Sequence, residues 1–169
     1  MTLIVETGLV VAGAESYNSV AEITTYHSNR GNTAWAALSV PVQEQCARKA
    51  TDYMIQMYRS RWKGIRFSAL QTLDFPRDQV YLEAYVGTPA PLMATNIVPI
   101  EVKNAHAELS LIVSAEELLP NSEQQVLEEV IGPLTFKYDR TSPETKQYNA
   151  VNKMLKPYLT SNASAVIHA

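Results

Sequence analysis

The residues with the most chemistry to offer lie in one short stretch, Arg59-Ser60-Arg61-Trp62-Lys63-Gly64-Ile65-Arg66-Phe67. Cations and aromatic rings interleave there, a combination that suits a nucleic-acid strand: guanidinium and ammonium groups take phosphates while Trp62 stacks on a base. The competing use of the same residues is structural. Trp62 and Phe67 would seal the end of a long helix, and the cations would meet acidic side chains of the same or another copy. A sequence pI of 5.6 favours the structural use, because dedicated DNA-binding domains are strongly basic.

The remaining reactive groups are scattered. His27, His106 and His168 are distant from one another, no His-Glu-x-x-His occurs, and the lone Cys46 can build neither a zinc site nor an internal disulfide. Cys46 falls within a helical pattern, where a buried structural thiol is expected. The 6 glycines form no phosphate-cradling loop. His106 lies beside an apolar helix face, the setting of a hydrogen-bonded or surface histidine, while Glu116-Glu117, Glu128-Glu129 and Asp74 with Asp78 read as solvated carboxylates. With no convergent groups, the expectation is a protein that is not an enzyme and uses no metal or cofactor.

The net charge of -3 conceals a sharper arrangement. From Arg48 to Arg77, seven cations face only Asp52 and Asp74, a balance of +5; from Glu101 to Val130, seven glutamates face only Lys103, a balance of -6. Such blocks pair within one molecule or between copies, and a basic face meeting an acidic face of the next copy is a heterologous contact that builds rings or filaments. Arg59, Arg61, Lys63 and Arg66 are therefore candidates for a subunit boundary or a DNA-facing surface, with Glu116, Glu117, Glu128 and Glu129 as candidate acceptors.

Helices must position these residues. Ser19 and Glu22 have the spacing of a capping box, followed by Val20, Ile23, Tyr26 and His27 on one face, with Arg30-Gly31-Asn32 as the stop. A short turn carries Trp35. The strongest helix runs from about Val42 to Arg61, with Cys46, Ala50, Tyr53, Met54, Met57 and Tyr58 on its buried stripe. Residues 63–98 form a long excursion with one short helix expected near Tyr81, and Pro99 opens a second core helix through Val102, Ala105, Leu109 and Ile112. Leu134, Phe136 and Tyr138 alternate as a strand does, paired with Val126 to Ile131 across Gly132-Pro133, although Glu123 to Val130 also admits a helix. Ser142-Pro143-Glu144 begins a terminal helix bearing Tyr148, Val151, Leu155 and Tyr158. Leu3 to Val11 reads as an extended arm or short strand.

The chain's 169 residues suit one core, and 46% hydrophobic content fills it. The expected fold is mainly α: a small helical bundle (residues 1–140) with an extended β segment near 125–138, then a C-terminal helix and docking arm (residues 141–169). Trp35, Tyr53, Trp62 and Leu109 belong to its core. Val166-Ile167 gives the polar tail something with which to dock on a neighbour. Charged residues make up 18%, below the usual figure of about 25%, as expected of a surface partly covered by partners. No stretch approaches the roughly 20 apolar residues of a membrane span, and Met1 to Glu6 lacks a basic secretory leader, so the protein is expected to act where it is made.

An ordered series of residues also resembles a known family. Ala14-Glu15-Ser16-Tyr17, Tyr26-His27 through Arg30-Gly31-Asn32 to Trp35, Ala50-Thr51-Asp52-Tyr53, Arg61-Trp62-Lys63-Gly64, Gln71, Asp74-Phe75-Pro76-Arg77, and the helix of Val102-Lys103 through Ala107-Glu108-Leu109 resemble tailed-bacteriophage and prophage proteins often labelled DnaT-like single-stranded-DNA-binding. The resemblance covers about residues 1–140 and departs from the common pattern around Gly87 to Asn96. It implies a head-tail connector, also called an adaptor or head completion protein. Such proteins form a ring of about twelve copies beneath the portal. The partners implied are copies of itself, the portal, tail or neck proteins, and double-stranded genomic DNA in the channel. The implied location is the virion neck. The label supplies the alternative, a single-stranded-DNA-binding accessory to replication.

Overall fold

The computed structural model describes residues 2–87, 89–119, 128–131, 134–137 and 148–160. Its elements are α1 (Val20–Ser28), α2 (Thr33–Ala36), α3 (Val40–Tyr58), β1 (Ile65–Arg66), β2 (Arg77–Asp78), α4 (Ile100–Ala115), β3 (Glu128–Ile131), β4 (Leu134–Lys137) and α5 (Asn149–Leu155), the last continued by a 3-10 turn over Lys156–Tyr158. The fold is mainly helical, with antiparallel β1-β2 and β3-β4 pairs.

Local sequence explains where the helices begin. The Ser19 hydroxyl accepts from the Glu22 amide at 3.2 Å and the Glu22 carboxylate accepts from the Ser19 amide at 2.7 Å, closing the capping box. Beyond α1, Gly31 takes a left-handed φ of 72°, which costs a glycine little. Pro41 occupies the first turn of α3, and Pro99 stands immediately before α4, where a missing amide hydrogen leaves no helical acceptor unsatisfied. Pro157 ends α5 in the tighter 3-10 turn. The expected cap at residues 142–144 lies outside the described residues.

Two packed clusters make the interior. The larger gathers Tyr17, Tyr53, Met54, Tyr58, Trp62, Phe75, Val102, Leu109, Val151 and Leu155; the smaller joins Ile23, Tyr26, Trp35, Cys46, Ala47 and Ala107. Trp35, Tyr53, Trp62 and Leu109 are thus all buried. α5 runs antiparallel to α4, with the Tyr148 hydroxyl donating to Glu116 near one end and the Tyr158 hydroxyl to Glu101 near the other. It shares the main core rather than standing apart from it.

Two segments differ from expectation, and a third decides between two readings. No helix forms near Tyr81. Tyr81 bridges Leu92 in extended conformation, the Leu82 amide donates to the Pro91 carbonyl at 2.9 Å and the Met93 amide to the Val80 carbonyl at 2.8 Å. Pro89 and Pro91 lack the amide hydrogens a helix would need, so pairing across the loop is the available solution. The N-terminal segment is not a free arm: it folds back as a closed loop, with the Glu6 amide bonded to the Ser16 carbonyl at 2.8 Å and Arg48 held to Glu15 at 3.0 Å. Glu128 to Val130 is strand, which excludes the helical option for the described part of that stretch.

Candidate functional site

The cationic stretch begins where α3 ends. After Tyr58 the chain turns and enters β1, whose register sets Ile65 opposite Asp78 and Arg66 opposite Arg77. Gly64 makes the turn possible: its φ is 66°, and a Cβ there would stand 2.1 Å from the Asp78 carbonyl oxygen, so a side chain cannot be accommodated without moving the backbone.

Asp74 organises the residues around this turn. Its carboxylate is buried and accepts from Arg59 Nε at 2.8 Å and from Trp62 Nε1 at 3.3 Å. Its amide donates to the Tyr17 hydroxyl at 3.1 Å, and its carbonyl accepts from Arg77 at 3.2 Å. Burial holds the Arg77 guanidinium below the ordinary arginine range, against the opposing pull of Asp74. Arg77 also clamps the carbonyls of Lys63 and Gly64, each at 2.8 Å. Lys63 Nζ reaches the Pro157 carbonyl at 2.7 Å, tying the stretch to the turn after α5, and Arg66 donates to the Gln71 carbonyl.

These bonds decide how the stretch can act. Trp62 is only 5% exposed, tilted against Tyr58 with ring centres 5.8 Å apart and edge-on to Phe75 at 5.0 Å. Its indole face is packed and its N–H bonded, so it offers no stacking platform for a base. Arg59, Lys63, Arg66 and Arg77 hold the chain's own carbonyls and Asp74. Arg61 is the exception in having no carbonyl partner among the described residues: its guanidinium stands 5.7 Å over the Tyr58 ring, within cation-π range, and its Nε, like that of Arg66, is buried without a hydrogen bond there. Phe67, expected to help seal the helix end, is instead 54% exposed.

The acidic candidates sit elsewhere. Glu116 accepts from Tyr148. Glu116 and Glu117 also border an open cleft of about 670 Å³ formed by Lys49, Asp52, Tyr53 and Gln56 of α3 against residues 113–119. Glu128 and Glu129 lie in β3, at register positions opposite Lys137 and Phe136. Arg59 pairs with Asp74, on its own side of the turn. Val166 and Ile167 lie outside the described residues.

Both described histidines are structural. His106 is fully buried where α3, α4 and residues 16–18 meet: Nε2 lies 3.0 Å from the Ala47 carbonyl and 3.0 Å from the Thr51 hydroxyl, and Nδ1 lies 3.2 Å from the Asn18 amide nitrogen. A carbonyl can only accept, so Nε2 carries the proton and Nδ1 accepts from Asn18. Burial pulls its pKa down to about 4, leaving the ring neutral. His27 repeats the device, with Nε2 at 3.0 Å from the Ala107 carbonyl and Nδ1 at 3.1 Å from the Asn32 amide nitrogen. Burial raises the Cys46 thiol above its ordinary range, which favours an inert thiol. Among the described residues no cluster of three or more histidine, cysteine or carboxylate side chains could hold a metal, and no helix is long and apolar enough to cross a membrane.

A further surface went unread in the sequence. Ile65, Phe67 and Leu70 are exposed beside the clamp, and Tyr81, Tyr85, Val86 and Leu92 are exposed along the paired loop. The available signal was compositional: from Gln79 to Ile100 the only charged residue is Glu83.

A model of the family described as "Putative DnaT-like ssDNA binding protein" matches residues 1–169. The chain belongs to this family. No curated protein and no solved structure matches it. Membership in the DnaT-like family agrees with the label attached to the residue series from Ala14 to Leu109, and it extends over the whole chain rather than residues 1–140 alone.

Proposed function

We propose that this DnaT-like family member is a structural, non-enzymatic subunit of a tailed-phage head-tail connector, a ring of copies that joins the portal to the tail and surrounds the exiting DNA. The observation that carries the reading is how the surface groups are used: cations are bonded to the chain's own backbone carbonyls, while Leu70, Tyr85 and Val86 stand outward. Exposed apolar clusters mark protein contacts. The phage resemblance supplies the identity of the assembly, the virion neck its place, and portal, tail or neck proteins its partners.

The family description favours a second reading, in which the chain binds single-stranded DNA. Arg61 is the side chain best placed for it, since its guanidinium is not committed to a carbonyl among the described residues. One pair of measurements separates the two. A connector joins purified portal rings or copurifies with virions and binds single strands weakly. A DNA-binding protein holds oligonucleotides tightly, loses affinity steeply with salt, weakens on Arg61→Ala, and ignores portal. The second pattern would overturn the connector reading.

A further inference from the structure

His106 is walled by three pieces of chain, and only one of them conflicts with a second proton on the ring. Nε2 already carries a hydrogen and points it at α3, toward the Ala47 carbonyl and the Thr51 hydroxyl; both can stay in place when the ring is charged. Nδ1 faces residues 16–18. There the Asn18 side-chain amide donates to it across 3.2 Å, so a proton on Nδ1 would set two donors against each other. Asn18 cannot turn its amide around to help, because the same nitrogen donates to the Lys103 carbonyl at 2.6 Å and the oxygen would then face that carbonyl. The segment bearing Asn18 is stitched to itself: the Glu6 amide bonds the Ser16 carbonyl at 2.8 Å and the Ser16 amide bonds the Ile4 carbonyl at 3.2 Å.

We propose that residues 4–18 form a cover that acid opens: when His106 takes a second proton, this loop leaves α3 and α4 as a unit while the helices stay packed. The device does not depend on the connector reading. In the closed form the ring resists charging until about 4, whereas with the loop away it reaches water and titrates near the ordinary 6.5. Between those values the open form binds more protons, so opening becomes more favourable by up to about tenfold per pH unit. The charged groups facing the ring are Glu22 of α1, which favours its protonation, and Lys103 of α4, which opposes it; the two pair with each other at 2.8 Å. The contacts from α3, Ala47 and Thr51, do not titrate. From the loop side comes the edge of the Tyr17 ring, whose burial keeps its hydroxyl protonated throughout this range. A second tie acts in the same direction. Arg48 of α3, which also meets Glu44, holds the Glu15 carboxyl below the ordinary carboxylate range, so acid weakens that attachment too. Glu6 bonds only the loop's own amides. Tyr17, buried against Phe75, sets the cost of opening, and His106 sets its dependence on pH. The helices have their own hold on each other through Ala50, Val102, Ala105 and Leu109, none of which titrates.

Pairs of nitroxide spin labels on the full chain test this, with Cys46→Ala removing the native thiol. One pair, Leu9→Cys with Lys49→Cys, spans the loop and α3; the other, Thr25→Cys with Gln56→Cys, spans α1 and α3, and all four sites are exposed. As pH falls from 7 to about 4.5, electron-electron distance measurements should show a second, broader population growing by up to about tenfold per pH unit in the first pair, while the second pair keeps its single distance. A first pair that stays unchanged down to that pH would overturn the proposal. So would equal broadening of both pairs, which means that the whole fold is lost at once. His106→Asn in the first pair should flatten the growth, and growth as steep as with histidine would show that another group takes the proton. Should that variant fail to fold, the two label pairs with His106 in place still decide whether the loop opens alone.

Discussion

Residues 59–77 and residues 80–93 are neighbours in the chain and opposites in design. The first is rich in charge and bonds it within the chain: Arg59 to Asp74, Lys63 to Pro157, Arg77 to Lys63 and Gly64. The second is nearly free of charge and turns its apolar side chains outward. An amphipathic side chain is therefore a poor guide to its own exposure in this molecule. What decides it is whether a backbone carbonyl or a buried carboxylate nearby lacks a donor. Where irregular chain is packed without a helix or sheet to satisfy its carbonyls, arginine does so, because one guanidinium can bond several at once. Where the chain pairs with itself across a loop, backbone needs are met locally and the side chains are left exposed.

The contrast breaks most severely at its centre. Asp74→Ala removes the acceptor of both Arg59 and Trp62 and leaves the indole N–H buried and unsatisfied, so it should cost about 3 kcal/mol in urea unfolding. Asp74→Asn keeps an acceptor and should cost less than half of that. A value near zero for both would mean that the bonded cations hold nothing.

The hub at His106 should give a comparable effect that depends on pH. The unfolded chain takes up the proton near the ordinary 6.5, whereas the buried ring refuses it until about 4, so between those values the unfolded state binds more protons and stability rises with pH. On falling from neutral pH to about 4, wild type should lose about 3 kcal/mol through this group, and His106→Asn should flatten that part of the slope. Equal slopes in the two proteins would place the pH dependence elsewhere. A smaller loss, about 1 kcal/mol, is expected from Ser19→Ala, which opens the capping box of α1.

The smallest effect sharpens the other side of the comparison. Val86 is fully exposed, so Val86→Ser should change folding stability by less than about 0.5 kcal/mol. A large destabilisation would show that the outward apolar groups belong to the core after all.

The sequence was most legible where signals are local and repeat. Ser19 with Glu22, Gly31, Pro41 and Pro99 marked helix ends to within about three residues, and the stripe of Cys46, Ala50, Tyr53 and Met54 identified a buried face. The hairpin of β3 and β4 was visible in the alternation around Gly132-Pro133. Long-range pairing was not legible. Asp74 looked like a solvated acid because its partners, Arg59, Trp62 and Tyr17, are 12 to 57 positions away. The extended course of Tyr81 depends on Leu92, and no window around Tyr81 contains that information. Opposed charge blocks were real as composition, yet most of the cations in the basic block are bonded within the chain, a fact that charge counting has no means to anticipate.

The N-terminal loop carries a consequence of its own. Glu6 is fully buried, and its two carboxylate oxygens accept from the amides of Gly8, Val10 and Val11 at 2.8, 3.1 and 2.9 Å. Those three residues belong to no helix or strand, so by shape alone they would be expected to exchange their amide hydrogens with solvent quickly and to be cut readily by a protease. A single buried side chain gives them instead the protection of regular structure. Hydrogen-exchange mapping would then show an island of slow amides in a loop whose Leu9 side chain is in open water, and that island should vanish on Glu6→Gln.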